Sequence, residues 1–443
     1  MAAVIPGSSG SSGASAADDD ANFHRGRAWL IASWLFVFAV VNFADKVVLG
    51  LVAVPMMQEF GFTATEFGLI GSSFFWLFSI TGILGGFLAD RVATKWLLLG
   101  MALIWAVAQL PIMFGSTIAV FVLARVLLGA GEGPAWPVAL HAVYKWFPDR
   151  RRNLPVALLS QGGAIGLLLA GLIIPVVSQQ FGWRAAFGGL AAIGIVWSVV
   201  WLMIGAEGPI HSHQTQAAAT PSGVTAVNQT PLRTVLADPT VWGNFIMHFV
   251  AYWSLAGVLT WLPAYFQKGL GVPAVQAGQK YALVVALTIP LVMVASALSQ
   301  RWLGAGWSSR AARARFSSVA LLLAGGLFML MVVPGIPVGM RVAIFGLALG
   351  FTPVIYALGP AMLAQVSPPH RRGAVLAIDN SVAALAGVIA PAAAGMLIER
   401  NPGAHGYELG FFISGVLLVI GAVIGWLVVN PERTLQQFSK RTS

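Results

Sequence analysis

Four ionisable residues stand inside long apolar runs: Asp45 and Lys46 in one, Arg125 and Glu132 in another. Each charge near the centre of a bilayer costs about 2.5–3.5 kcal/mol on the insertion scale. Two acids and two bases kept at that cost point to function, with a purely structural ion-pair cluster as the plain alternative. The chemistry open to them is proton uptake by the carboxyls and capture of an anion by the bases. Arg125 and Glu132 are seven residues apart, about two helical turns, so they share a helix face. Asp45 and Arg125 fall at similar depths in their runs, which predicts that they pair. His248 and Asp379 also lie in apolar runs. His248 reads either as a hydrogen-bonded group or as a proton relay. Asp379 reads as a second proton site, a cation contact or the partner of a base.

The elements that must position these residues follow from composition. Of 443 residues, 58% are hydrophobic and 9% charged, against about 25% charged in a soluble domain. That excludes a soluble globular enzyme, and the apolar content excludes a disordered chain. Apolar segments fall near 28–53, 66–89, 96–114, 117–143, 153–179, 185–205, 240–266, 276–299, 315–334, 338–361, 373–398 and 407–429. Each is near the roughly 20 residues that a membrane-spanning helix needs. The expected fold is an all-α membrane protein of twelve transmembrane helices in two six-helix bundles. The expected organisation is a disordered tail (1–26), a first bundle (27–205), a cytoplasmic linker (206–238), a second bundle (239–430) and a cytoplasmic tail (431–443).

The net charge is +10. In this composition it reads as basic loops on the cytoplasmic side rather than as a nucleic-acid surface. Arg91, Lys95, Arg150–Arg152, Arg310, Arg313 and Arg315 then face the cytoplasm with both termini, while Arg184, Lys268, Lys280, Arg341 and Arg400 fall in external loops. There is no cysteine, so disulfides and thiolate sites are excluded. No His-Glu-x-x-His or Gly-x-Ser-x-Gly motif is present, so no enzyme, cofactor or metal is expected.

The halves read as weak repeats. Gly86-Phe87-Leu88-Ala89-Asp90-Arg91 after the second segment corresponds to Ser296-Ala297-Leu298-Ser299-Gln300-Arg301 after the eighth. Pro148-Asp149-Arg150-Arg151-Arg152 corresponds to Pro369-His370-Arg371-Arg372. Duplicated bundles are a transporter architecture, with the substrate held near the midplane between halves.

The stretch from Gly86 through Asp90 and Arg91 to Lys95 resembles the loop signature between helices two and three of the major facilitator superfamily, a cytoplasmic gate motif. Arg125-x-x-x-Gly129-x-Gly131-Glu132-Gly133-Pro134, followed by Trp146-Phe147-Pro148, and preceded by Asn42-Phe43-Ala44-Asp45-Lys46, resembles that superfamily's anion:cation symporters. These include bacterial sugar-acid transporters, sialin and vesicular glutamate transporters. The resemblance runs from about residue 27 to 432. It implies proton coupling through Asp45 and Glu132 with Arg125 as their basic partner. It implies substrate binding by Lys46, which stands where many relatives have Arg, and by Gln161 and Asn380. Phe78 and Gly82 stand where sugar-acid relatives have Tyr and Gln, and Tyr356-Ala357-Leu358-Gly359-Pro360 lacks their hydroxyl and Trp cluster. Phe78 and Tyr356 would then line a cavity suited to a carboxylate with few hydroxyls.

The function expected is import of a small organic anion with protons, by a monomer in a bacterial inner membrane. Its partners would be that anion, protons and the lipid bilayer, with no nucleic acid. The alternative is a proton-coupled exporter of a drug-like or lipid-like compound.

Overall fold

The computed structural model describes residues 24–89, 91–148, 151–210, 231–368 and 371–442. Twelve of its helices are long and apolar enough to cross a membrane. Spans 1 to 6 are Arg25–Leu51, Ala64–Gly85, Thr94–Phe114, Ile118–Trp146, Asn153–Phe181 and Trp183–Ile204. Spans 7 to 12 are Pro239–Gly269, Ala274–Gly304, Arg310–Val332, Val338–Val366, Arg372–Arg400 and Ala404–Val428. Each coincides with one apolar segment of the sequence. No strand occurs among the described residues, as expected where every backbone polar group must be satisfied within lipid.

Packing repeats with a period of six spans. Span 1 packs on 5 and span 7 on 11; span 3 packs on 6 and span 9 on 12; span 2 packs on 4 and span 8 on 10. The halves meet through spans 1 and 7, 2 and 11, and 5 and 8. The last two contacts exchange under the same six-span shift. The molecule is therefore a duplicated twelve-helix bundle. The meeting of spans 1 and 7 is close: a Cβ on Gly50 would lie 2.1 Å from the Leu259 carbonyl oxygen.

Two helices break at matching places. Span 4 consists of Ile118–Glu132 and Ala135–Trp146, and span 10 of Val338–Phe351 and Val354–Val366. Pro134 and Pro353 sit at the breaks, because proline has no N–H to donate and its ring clashes with the preceding turn. The glycine- and proline-rich stretch after Arg125 thus places Glu132 on the last turn of a half-helix.

Several sequence expectations change. Arg341 lies inside span 10 rather than in a loop, and is 5% exposed. Its Nη1 pairs with Glu408 Oε1 at 2.9 Å and donates to the Met331 carbonyl at 2.9 Å, so the guanidinium satisfies carbonyls freed where span 9 ends. The segment expected as a cytoplasmic tail forms the helix Pro431–Thr442. Its Phe438 is buried with Val235, Val241, Phe245 and Val366, and its Thr434 hydroxyl donates to Asp238 Oδ1 at 2.9 Å. The first linker residues are also packed: Lys145 pairs with Glu207, and Ile210 N donates to the Lys145 carbonyl at 3.1 Å. Residues 1–23 of the expected tail, linker residues 211–230, and Asp90, Asp149, Arg150, Pro369 and His370 lie outside the described residues.

Candidate transport site

Asp45, Arg125, Glu132 and Asp379 are 2%, 3%, 1% and 1% exposed, and Lys46 is nearly buried. Spans 1 and 4 bring the first-half group together. Lys46 Nζ lies 3.1 Å from Glu132 Oε2 and donates to Asn42 Oδ1 at 2.5 Å. Asn42 is one helical turn before Lys46, which sets that contact. Gln109 of span 3 donates from Nε2 to Asp45 Oδ1 at 2.8 Å.

The pairing expected between Arg125 and the Asp45 carboxylate is not formed. Arg125 Nη1 instead donates to the Asp45 backbone carbonyl at 3.3 Å, and its guanidinium carbon lies 4.8 Å from the centre of the Phe74 ring. Two facts explain this. Gln109 occupies Oδ1 of Asp45, and the ring face stabilises a cation stacked on it. Arg125 stays within electrostatic range of both acids. Close packing of spans 2 and 4 makes this stacking possible: a Cβ on Gly129 would lie 1.7 Å from the Phe74 carbonyl oxygen.

The wall beside these charges is aromatic. Lys46 Nζ lies 4.3 Å from the Phe43 ring centre and 5.7 Å from that of Phe78. Phe78 packs with Phe74 and Phe75, and Phe75 touches Tyr252 of span 7 edge-on at 5.8 Å. Gln161 is half-buried and Asn380 exposed, and neither has a hydrogen-bond partner among the described residues. Gln161 precedes Gly162 and Gly163, which lie against Ala39 and Phe43 of span 1. The Tyr356 hydroxyl is buried without a partner.

His248 and Asp379 meet across spans 7 and 11, with Nδ1 and Oδ2 2.7 Å apart. Asp379 thus has a partner, the His248 imidazole, one of the contacts open to it from sequence.

In the segment expected as a gate motif, Gly86 lies in the helix Phe75–Ala89 and Arg91 is exposed. Asp90 is outside the described residues. Lys95 Nζ donates to the Leu202 carbonyl at 3.3 Å, and Thr94 Oγ1 donates to Glu207 Oε2 at 3.0 Å. Glu207 thus joins the starts of span 3, the end of span 4 and the end of span 6. No group of three or more His, Asp or Glu side chains among the described residues could hold a metal.

Sequence reasoning missed Gln109, Tyr252 and Glu207. Gln109 carried a signal: it is a lone amide in the apolar run of span 3. Tyr252 and Glu207 carried none beyond residue type.

A duplicated twelve-span bundle with opposed charges buried on its inner helices is the architecture of a membrane transporter. The chain belongs to the Major Facilitator Superfamily, whose sequence profile matches residues 35–353 and 303–443. It is 28% identical over 404 residues to a probable sulfoacetate transporter of Cupriavidus necator, covering 89% of this chain and 92% of that protein. It is 26% identical over 419 residues to a chloroplastic ascorbate transporter of Arabidopsis thaliana, covering 92% and 76%. Among solved structures it resembles an inward-facing, unoccupied bacterial homologue of the lysosomal transporter Spinster. That likeness has TM-score 0.74 and 20% identity, over 94% of this chain and 98% of that one. It also resembles a D-xylose–proton symporter, with TM-score 0.73 and 17% identity over 91% and 98%. The chain is thus an integral multi-pass membrane transporter rather than an enzyme.

Proposed function

We propose that this chain imports a small organic anion together with protons by alternating access across a bacterial inner membrane, with both termini on the cytoplasmic side. The observation that carries the reading is the buried ion pair between Lys46 and Glu132. Lys46 is the base of the site that pairs directly with a carboxylate, and that carboxylate is Glu132. A proton on Glu132 neutralises that partner. Lys46 is then free to pair with a substrate carboxylate, so anion binding and proton binding are linked. Bound proton and anion together add no net charge for the closing halves to bury, whereas the anion alone would. Asp45, held by Gln109, is the second acid of the coupling group, and Arg125 keeps both acids in electrostatic reach.

Gln161 and Asn380 supply neutral polar contacts to the anion from spans 5 and 11. The aromatic wall of Phe43 and Phe78 with Tyr356 offers few partners for substrate hydroxyls, and each unpaired hydroxyl carries a desolvation cost. The substrate class is therefore a carboxylate poor in hydroxyls. The names of the relatives support an anion: sulfoacetate has no hydroxyl, whereas ascorbate has several.

Uptake of radiolabelled acetate, benzoate, malonate, sulfoacetate and gluconate into proteoliposomes tests the reading, with and without a pH gradient. At least one of the first four is expected to accumulate, faster with the interior alkaline. Preference for gluconate contradicts the substrate class, and gradient-independent uptake contradicts proton coupling.

A further inference from the structure

The His248–Asp379 pair has no task in the account above. It is buried, with His248 9% and Asp379 1% exposed. The two side chains come from spans 7 and 11, which pack along each other. Only Oδ2 of the carboxylate is used; Oδ1 is buried without a hydrogen-bond partner. The imidazole is flanked by two tyrosines, with ring centres 5.1 Å away for Tyr356 and 6.5 Å for Tyr252. The Tyr356 hydroxyl is also buried and unpartnered. A buried carboxylate with one imidazole, one idle oxygen and an idle phenol beside it is under-satisfied, and such groups cost free energy unless a ligand completes them.

We propose that His248 and Asp379 form a second proton-binding site, separate from Glu132 and Asp45. With the imidazole neutral and the carboxylate ionised, Nδ1–H donates to Asp379 Oδ2. A hydronium ion from the aqueous side gives its proton to the Nε2 lone pair: one of its O–H bonds breaks, an N–H bond forms, water leaves, and the product is an imidazolium–carboxylate pair. The charge of the pair rises from −1 to 0, and Nε2 changes from acceptor to donor.

The charges facing this pair are few. On span 7 itself the neighbour is Tyr252, and on span 10 it is Tyr356. Asp45 and Lys46 of span 1 are engaged by Gln109 and Glu132. Glu408 of span 12 is engaged by Arg341 and Tyr265. Tyr252 stands between the two sites, within electrostatic range of Glu132.

Charge arithmetic gives the second site its use. Asp45, Glu132 and Asp379 against Lys46 and Arg125 leave the buried set at −1, which repels an anion. One proton makes it neutral. Protons on both Glu132 and His248 make it +1, the complement of a monoanion. A two-proton requirement per monoanion follows, with one proton held in each half.

The test needs no substrate, so it fails or succeeds independently of the transport reading. The full chain, labelled with 15N-histidine and placed in lipid nanodiscs, is titrated by NMR from pH 8 to 5. The His248 resonance is assigned by its loss in His248→Gln, or in His248→Asn should the first variant not fold. The expected result is conversion of His248 to imidazolium within that range, where imidazoles titrate. It persists in Glu132→Gln, and Asp379→Asn carries less imidazolium at a given pH because its counter-ion is gone. A His248 signal that stays in one protonation state, or one that Asp379→Asn leaves unchanged, overturns the proposal.

Discussion

The two halves share a helix plan but not a charge plan. Spans 1 to 4 bury two acids and two bases, linked through Asn42, Gln109 and the Lys46–Glu132 pair, with Glu132 Oε1 and Arg125 Nε left without a hydrogen-bond partner. The matching region of the second half buries one acid and one imidazole, and leaves Asp379 Oδ1 and the Tyr356 hydroxyl idle. Duplication repeated the packing and the broken helices at Pro134 and Pro353, because both depend on backbone and small residues. The charges were not repeated, because each must be compensated by its own local partners. Near the centre of the bundle the first half thus holds Lys46 and Arg125 beside its acids, and the second half sets the His248 imidazole beside Asp379.

Removing a base from the first half should have the largest effect. Arg125→Ala leaves Asp45 and Glu132 buried with one cation between them, and loss of a buried charge partner costs about 3–5 kcal/mol. A marked fall in melting temperature is expected, partly reversed by adding Asp45→Asn. Equal, additive losses in the double variant would show that Arg125 does not serve the acids. Gly129→Ala comes next, since its Cβ would overlap the Phe74 carbonyl oxygen. Overpacking costs about 1–3 kcal/mol, and the same cycle should show lost transport as Arg125 shifts from its ring. Gln109→Leu removes one neutral donor from Asp45, at about 1–3 kcal/mol; thermal unfolding no different from wild type would remove Gln109 from the network.

The smallest effect lies outside the spans. Glu59 pairs with Arg184 at 2.7 Å and accepts from the Trp183 indole at 2.7 Å. The indole hydrogen bond and the guanidinium hold its carboxyl below its usual 4.5. A lowered carboxylate contributes stability above its unfolded value and loses it as pH falls through the folded one. The pair is largely exposed, so Glu59→Ala should cost under about 1 kcal/mol at neutral pH. The difference from wild type should vanish at a pH well below 4.5. A difference that grows on acidification would reverse the sign.

The fold was legible because bilayer thickness sets a length that no other architecture in this composition satisfies, and all twelve spans follow from it. The membership of the central group was legible too, since burying Asp45, Lys46, Arg125 and Glu132 is costly wherever it occurs. Its wiring was not. Sequence depth placed Arg125 beside Asp45, but could not show that Gln109 on a third helix takes the carboxylate and Phe74 takes the guanidinium. His248 and Asp379 are 131 residues apart, and each alone is an ordinary membrane polar residue. Only the packing of span 7 on span 11 makes them a pair. The docked helix Pro431–Thr442 escaped for a different reason: its polar composition matches that of a free tail, and a few side chains such as Phe438 decide it.

The central claim is that Glu132 releases Lys46 when protonated. Glu132→Gln fixes the released state. Purified wild type and Glu132→Gln are compared in proteoliposomes, with the best acid from the uptake panel, for accumulation driven by an imposed pH gradient and for counterflow exchange without one. The account predicts that Glu132→Gln loses gradient-driven accumulation but keeps counterflow. Accumulation equal to wild type would contradict it and move the coupling proton away from Glu132.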